Sequence, residues 1–257
     1  MKTAVLLLSL LPMAALAKEP FEGHWKARVD SFKSTGAPDV YELKDGMFNC
    51  KSCAPPYSIK ADGTMQKTTE NPYRDHASVK ITGSSSVEWT VQKDGKTLST
   101  VELSTSADGQ TLTTKATNYG GTSPTNATVT EKRSAAGAPG SHPISGSWQN
   151  PTVSSAGDNA LMFVYTATPN GLKSESNGVT VDAKFDGKAY PAVGDPGHTM
   201  VTLKRVSDHE IEETDRQGDK VSDVVQWKLS ADGKTITFVD VDKLHNTTTS
   251  FTADRQN

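Results

Sequence analysis

Short stretches of the chain alternate apolar and polar side chains at period two. In SVEWTVQK, Val87, Trp89 and Val91 alternate with Glu88, Thr90 and Gln92; in VVQWKL, Val225, Trp227 and Leu229 share one parity. That is the period of a strand with one face buried and one face wet. No segment beyond the first twenty residues sustains a helical period. Asp-Gly or Asn-Gly pairs punctuate the stretches at 45–46, 62–63, 94–95, 108–109, 170–171, 177–178, 186–187 and 232–233. Both positions of such a pair take positive φ readily, which suits two-residue hairpin turns. The pattern predicts an all-β protein of short antiparallel strands.

The pattern also repeats. Asp62-Gly63 recurs 124 residues on as Asp186-Gly187, and at the same offset Tyr41 meets Tyr165, Lys80 meets Lys204 and Val101 meets Val225. SADGQTLT (106–113) falls on SADGKTIT (230–237), and one slip near the start sets FEGHW (21–25) over ISGSW (144–148). A register kept over so long a span signals a duplicated domain. The expected plan is one unit over 18–133, a linker SAAGAPGSHP over 134–143, and a second unit over 144–257. Small, Pro- and Gly-rich composition is what a linker requires. About eight strands per unit joined by hairpins predict two tandem up-and-down barrels, each closing on itself and so removing its edges.

Gly23-x-Trp25 and Gly146-x-Trp148, each on the first strand of its meander, look like the G-x-W signature of lipocalins. That resemblance implies a tryptophan plugging the closed end of each barrel, with a basic side chain from the last strand across it. Lys132 or Arg133, and Arg255, stand at the matching places. Copy two, through FDGKAYPAVGDPGHTMVTLKRVSDHEIEET, more closely resembles a group of secreted bacterial lipocalin-like proteins of unestablished function. Copy one keeps FEGHWKARVDSFK of that pattern.

The opening MKTAVLLLSLLPMAALA has a basic start, an apolar run and an Ala-x-Ala end, the anatomy of a signal peptide over 1–17. The expected location is therefore periplasmic or extracellular. No later stretch approaches the roughly 20 apolar residues that span a bilayer. With 27 basic and 30 acidic residues, the charge balance argues against a nucleic-acid partner or an anionic membrane surface.

Cys50 and Cys53, the two cysteines, lie in FNCKSCAPPY. A redox couple of this spacing is expected at a helix start, and a zinc site needs two further Cys or His ligands; neither context is present in the sequence. Their counterparts at the same offset are Ser174 and Asn177, so the scaffold closes without them. A local disulfide is the favoured reading, ahead of a redox couple or half a metal site. No metal and no cofactor is expected.

Candidate binding residues follow from parity. Trp89 and Trp227 point inward, either lining a cavity or filling a solid barrel. Where copy one has Ile81, Trp89 and Ser99 at inward parity, copy two has Arg205, Glu213 and Asp223. These three line a polar cavity, unless a bulge turns them to solvent; the acid-rich HEIEETDRQGD favours an exposed hairpin. The motifs of hydrolases, zinc proteases and nucleotide binders are missing. The expected function is a binding protein enclosing a small, partly apolar molecule in one or both barrels. An isomerase, cyclase or lyase on the same scaffold, or an envelope module without ligand, are the alternatives.

Overall fold

A computed structural model describes residues 19–257, so the signal-peptide segment lies outside the described residues. The expected all-β architecture is present: two antiparallel, nearly closed barrel-like sheets of about ten strands each rather than eight. The strands, in chain order, are β1 (Gly23–Ala27), β2 (Lys33–Gly36), β3 (Asp39–Lys44), β4 (Met47–Cys50), β5 (Tyr57–Lys60), β6 (Gln66–Asn71) and β7 (Arg74–Gly83). Next come β8 (Ser86–Lys93), β9 (Lys96–Thr105), β10 (Thr111–Asn118), β11 (Thr125–Ala136) and β12 (Gly146–Ala156). A four-residue helix, α1 (Asp158–Leu161), leads to β13 (Met162–Thr168), β14 (Gly171–Ser176), β15 (Val179–Lys184), β16 (Tyr190–Pro191) and β17 (Met200–Ser207). The chain ends with β18 (Glu210–Gln217), β19 (Lys220–Leu229), β20 (Thr235–Asp242) and β21 (Thr247–Arg255). At Asp45-Gly46, Asp94-Gly95 and Asn177-Gly178 both residues have positive φ, the geometry that matches the twist of a tight hairpin.

The sheets do not follow the expected boundaries at 18–133 and 144–257. One sheet runs β5-β4-β3-β12-β11-β10-β9-β8-β7-β6, the other β15-β14-β13-β1-β21-β20-β19-β18-β17-β16 with β2 also on β21. The two G-x-W strands are therefore exchanged. Gly146 and Trp148 pair with Tyr41 and Asp39, whereas Gly23 and Trp25 pair with Tyr165 and Phe163. Barrel one is residues 39–156; barrel two is residues 23–36 together with 162–255. The predicted linker is not a spacer. Residues 134–136 belong to β11, and the rest is a loop returning the chain into β12, pinned where the His142 amide donates to the Leu43 carbonyl at 2.8 Å. The chain crosses between barrels at 37–38 and 157–161, and next to the crossings β2 of barrel two lies against β12 of barrel one.

The plug implied by the resemblance has a concrete geometry in each barrel. Trp25 and Trp148 are fully buried, and each indole N–H donates at 3.0 Å to a carbonyl four residues back, Phe21 and Ile144. Arg255 lies 4.2 Å over Trp25 and Arg133 4.0 Å over Trp148, a cation–π contact made with buried rings. The same guanidinium groups donate to backbone carbonyls on both sides: Arg133 to Gly109, Pro143 and Ser145, Arg255 to Gly233, Pro20 and Glu22. Gly109 and Gly233 sit in the two SADG turns, closed identically by Ser106 on Asp108 and Ser230 on Asp232, each at 2.6 Å. This explains why those turns survive in both copies. Lys132 instead reaches Thr111 on the barrel wall. Gly23 and Gly146 have φ of 149° and 140°, and a Cβ at either would meet an arginine Nη1 at 2.5 Å. Only glycine allows the guanidinium so close.

Candidate functional site

The barrels face one another across a cleft of about 1590 Å³. Arg74, Glu131, Asp39 and the disulfide segment line it from barrel one; Asp223, Asp242 and His245 line it from barrel two. Residues 34–38 and 149–151, on β2, the first crossing and β12, also line it, so the strand exchange helps to build the walls. A second link between the barrels is the Tyr73 hydroxyl, 3.2 Å from Asp195 and 3.1 Å from Thr199.

Two opposite charges are buried on the barrel-one side. Arg74, first residue of β7, is 6% exposed; it lies 4.1 Å over the Tyr57 ring and donates to the Pro55 carbonyl at 2.9 Å and the Thr69 carbonyl at 3.3 Å. No carboxylate pairs with it among the described residues. Glu131 is also 6% exposed, opposite Leu112 on the inner wall, and makes no hydrogen bond or ion pair among the described residues. Burial, followed by the nearby Asp39 charge, pushes its carboxyl up to about 7. Asp39 is itself raised by burial, against a hydrogen bond from the Ser52 hydroxyl at 3.2 Å. A buried carboxylate without a partner is costly, and Glu131 reduces that cost by holding its proton more tightly.

The disulfide between Cys50 and Cys53 is formed, with Cα atoms 5.4 Å apart. Cys50 ends strand β4 and opens no helix, unlike a thioredoxin-type couple. The loop it closes is stitched to the β6–β7 hairpin: Asn71 Nδ2 donates to the Ala54 carbonyl at 2.8 Å, beside the Arg74–Pro55 bond. Reduction is expected to lower stability by about 1–2 kcal/mol, the low end for so small a loop. Urea midpoints with and without reductant measure it; a loss above about 3 kcal/mol would mean that the loop organises the whole barrel mouth.

Trp89 belongs to the packed interior of barrel one. Its ring lies 5.6–6.4 Å from Phe48, Tyr41 and Tyr57, with its indole N–H unpartnered among the described residues. Trp227 is the matching anchor of barrel two, stacked on Tyr165 at 4.8 Å and edge-on to Phe238 at 5.8 Å.

Arg205, Glu213 and Asp223 do not form one site. Arg205 pairs with Glu19 at 2.7 Å and lies 4.3 Å over Phe185, away from the cleft. The favoured exposed-hairpin reading is corrected for Glu213, which lies inside barrel two; burial and then the Asp215 charge hold its carboxyl well above the ordinary range. Asp223 sits on the cleft, raised first by burial. The parity reading also turned Asp215 inward without assigning it to the site, and it missed Asp240 and Asp242, which share that wall with Glu213. The signal was present in FVDVD, where Phe238, Asp240 and Asp242 keep one parity. Arg74 and Glu131 were missed as well; Glu131 stands at inward parity with Val129 in TVTEKR.

No group of three or more His, Cys, Asp or Glu side chains among the described residues is arranged to hold a metal ion. No helix among them is long and apolar enough to cross a membrane. No protein-family model, no curated protein and no solved structure matches the chain.

Proposed function

We propose that this chain is a secreted or periplasmic small-molecule binding protein on a lipocalin-like scaffold, with its ligand held in the cleft between the barrels. The observation that carries the reading is the buried Glu131 carboxyl, which has no partner among the described residues, with the Arg74 guanidinium buried on the same wall of that cleft and paired with no carboxylate. An envelope module with solid barrels has no need of such costly groups. The interior of barrel one is taken up by Tyr41, Phe48, Tyr57 and Trp89, so enclosure there gives way to enclosure between barrels. The arginine-capped G-x-W plugs support the lipocalin likeness, and the signal-peptide anatomy with the disulfide supports the compartment.

Catalysis has one observation in its favour: His245 Nδ1 lies 2.6 Å from Asp242 Oδ2 within the cleft. Asp242 also accepts the Leu244 and His245 amides at 2.8 and 2.9 Å, so the pair is fully explained as the cap of a turn. Binding is the better reading.

Glu131→Gln tests it. Losing one charge-assisted contact is expected to weaken ligand binding about 10- to 100-fold. The thermal shift given by a ligand recovered from the protein should shrink accordingly, while the variant itself melts higher than wild type at pH 8. An unchanged ligand shift in a folded variant would remove Glu131 from the site.

A further inference from the structure

The pairing of three adjacent strands orders the inner wall of barrel two into layers. Ile211, Trp227 and Phe238 are register partners across β18, β19 and β20; so are Glu213, Val225 and Asp240, and so are Asp215, Asp223 and Asp242. The wall therefore passes from an apolar floor, through a mixed layer, to a rim made only of carboxylates. Successive layers are two residues, about 7 Å, apart. Asp223 and Asp242 of the rim line the cleft, so the carboxylate rim is where this wall meets it.

The acids are not a requirement of the fold. At the same positions barrel one carries Trp89, Val91, Ser99, Ala116 and Asn118, and closes equally well. Nor does a basic side chain offset them. Among the described residues no Lys or Arg forms an ion pair with Glu213, Asp215, Asp223 or Asp240; His245 meets only Asp242, and Lys220 at the rim is solvent-exposed. Asp215 Oδ1 and Asp240 Oδ1 are buried with no hydrogen-bond partner. The Ser222 hydroxyl, 1% exposed, sits beside the Asp223 carboxyl.

We infer that the mouth of barrel two binds an organic cation, a primary amine with a small apolar or aromatic body, whose ammonium group meets the carboxylate rim while its body lies along the cleft wall. This rests on the reading of the cleft as a ligand site and names the ligand class. A metal ion fits less well, because the carboxylates are strung along strands rather than gathered about one point. An ammonium among carboxylates that no basic side chain meets gains charge-assisted hydrogen bonds.

Calorimetric titration of the full chain at pH 7.5 with phenethylamine, and with 2-phenylethanol as its uncharged counterpart, tests the inference. Phenethylamine is expected to bind saturably, at least ten times more tightly than 2-phenylethanol. The Asp215→Asn/Asp240→Asn double variant is expected to lose at least tenfold in phenethylamine affinity while melting no lower than wild type, which shows that it folds. Equal binding of the two probes, or unchanged binding by the double variant, overturns the cation assignment. Failure of phenethylamine alongside binding of a neutral or anionic molecule lost in Glu131→Gln overturns the cation and leaves the cleft reading standing. Failure of every class of small molecule overturns both.

Discussion

Trp25→Ala is expected to destabilise barrel two, not the barrel that follows it in the chain, by about 3–5 kcal/mol. Truncating a fully buried tryptophan removes its burial and leaves a cavity. Here the indole also supplies the surface on which Arg255 rests and the N–H that holds the Phe21 carbonyl. Trp25 sits between Phe163 of β13 and Arg255 of β21, so its loss opens the seam that closes the second barrel. Against a typical domain stability of about 5–15 kcal/mol, that is enough to loosen barrel two selectively. Indole NMR signals separate the cases, because Trp227 reports on barrel two and Trp89 on barrel one. Disturbance and early melting of Trp227 with Trp89 unchanged is the expected outcome. The reverse pattern would mean that each G-x-W strand stays in its own repeat.

Stability is expected to fall between pH 5 and pH 8, by at least about 3 kcal/mol. Glu131 is raised to about 7, and Asp215 and Asp240 to about 6. A carboxyl that holds its proton more tightly when folded stabilises the fold fully below its unfolded value, near 4, and that contribution is lost as pH rises through the folded value. For Glu131 the shift from 4.5 to about 7 corresponds to about 3 kcal/mol. Asp240 is only about half buried, and solvent reduces its share. The neighbours reinforce the sign: Glu213, Asp223 and Asp39 are also raised, each first by burial. The surface carboxylates Asp62, Asp108 and Asp232, lowered by hydrogen bonds within their turns, act oppositely but only at lower pH. A stability optimum near pH 5 follows, and Glu131→Gln should flatten the decline above it. Urea titrations at pH 5 and pH 8 check this; equal or greater stability at pH 8 would mean that the carboxylates are already paired or solvated.

Much of the architecture was legible because its signals are local. Period-two alternation, Asp-Gly turns and the offset of 124 residues gave two β units, and Gly23, Trp25, Gly146, Trp148 and Arg255 gave the plugs; between Lys132 and Arg133 the structure chose the arginine. The exchange of first strands was not legible, for a physical reason. The two strands carry the same Gly-x-Trp chemistry and present the same carbonyls to the same arginines, so either site accepts either strand. Only the path of the connecting segments decides. The segment at 134–143 read as a spacer because small and Pro-rich composition serves a pinned hairpin loop as well as a linker.

The interior acids were legible in parity but not in burial. In β18 only Ile211 is apolar among Ile211, Glu213 and Asp215, so hydrophobic patterning pointed to solvent. A strand wall built to meet a charged ligand breaks the very rule used to find walls. Arg205 kept inward parity and still left the site, because it lies two residues beyond Leu203 toward Glu19 and Phe185.

Native mass spectrometry of the protein purified from its own host tests the binding claim most directly. The expected spectrum shows the mature chain carrying one small molecule, released on activation, whose occupancy falls sharply in Glu131→Gln. A spectrum of the bare chain alone, together with a flat thermal-shift screen of small molecules, would contradict the account.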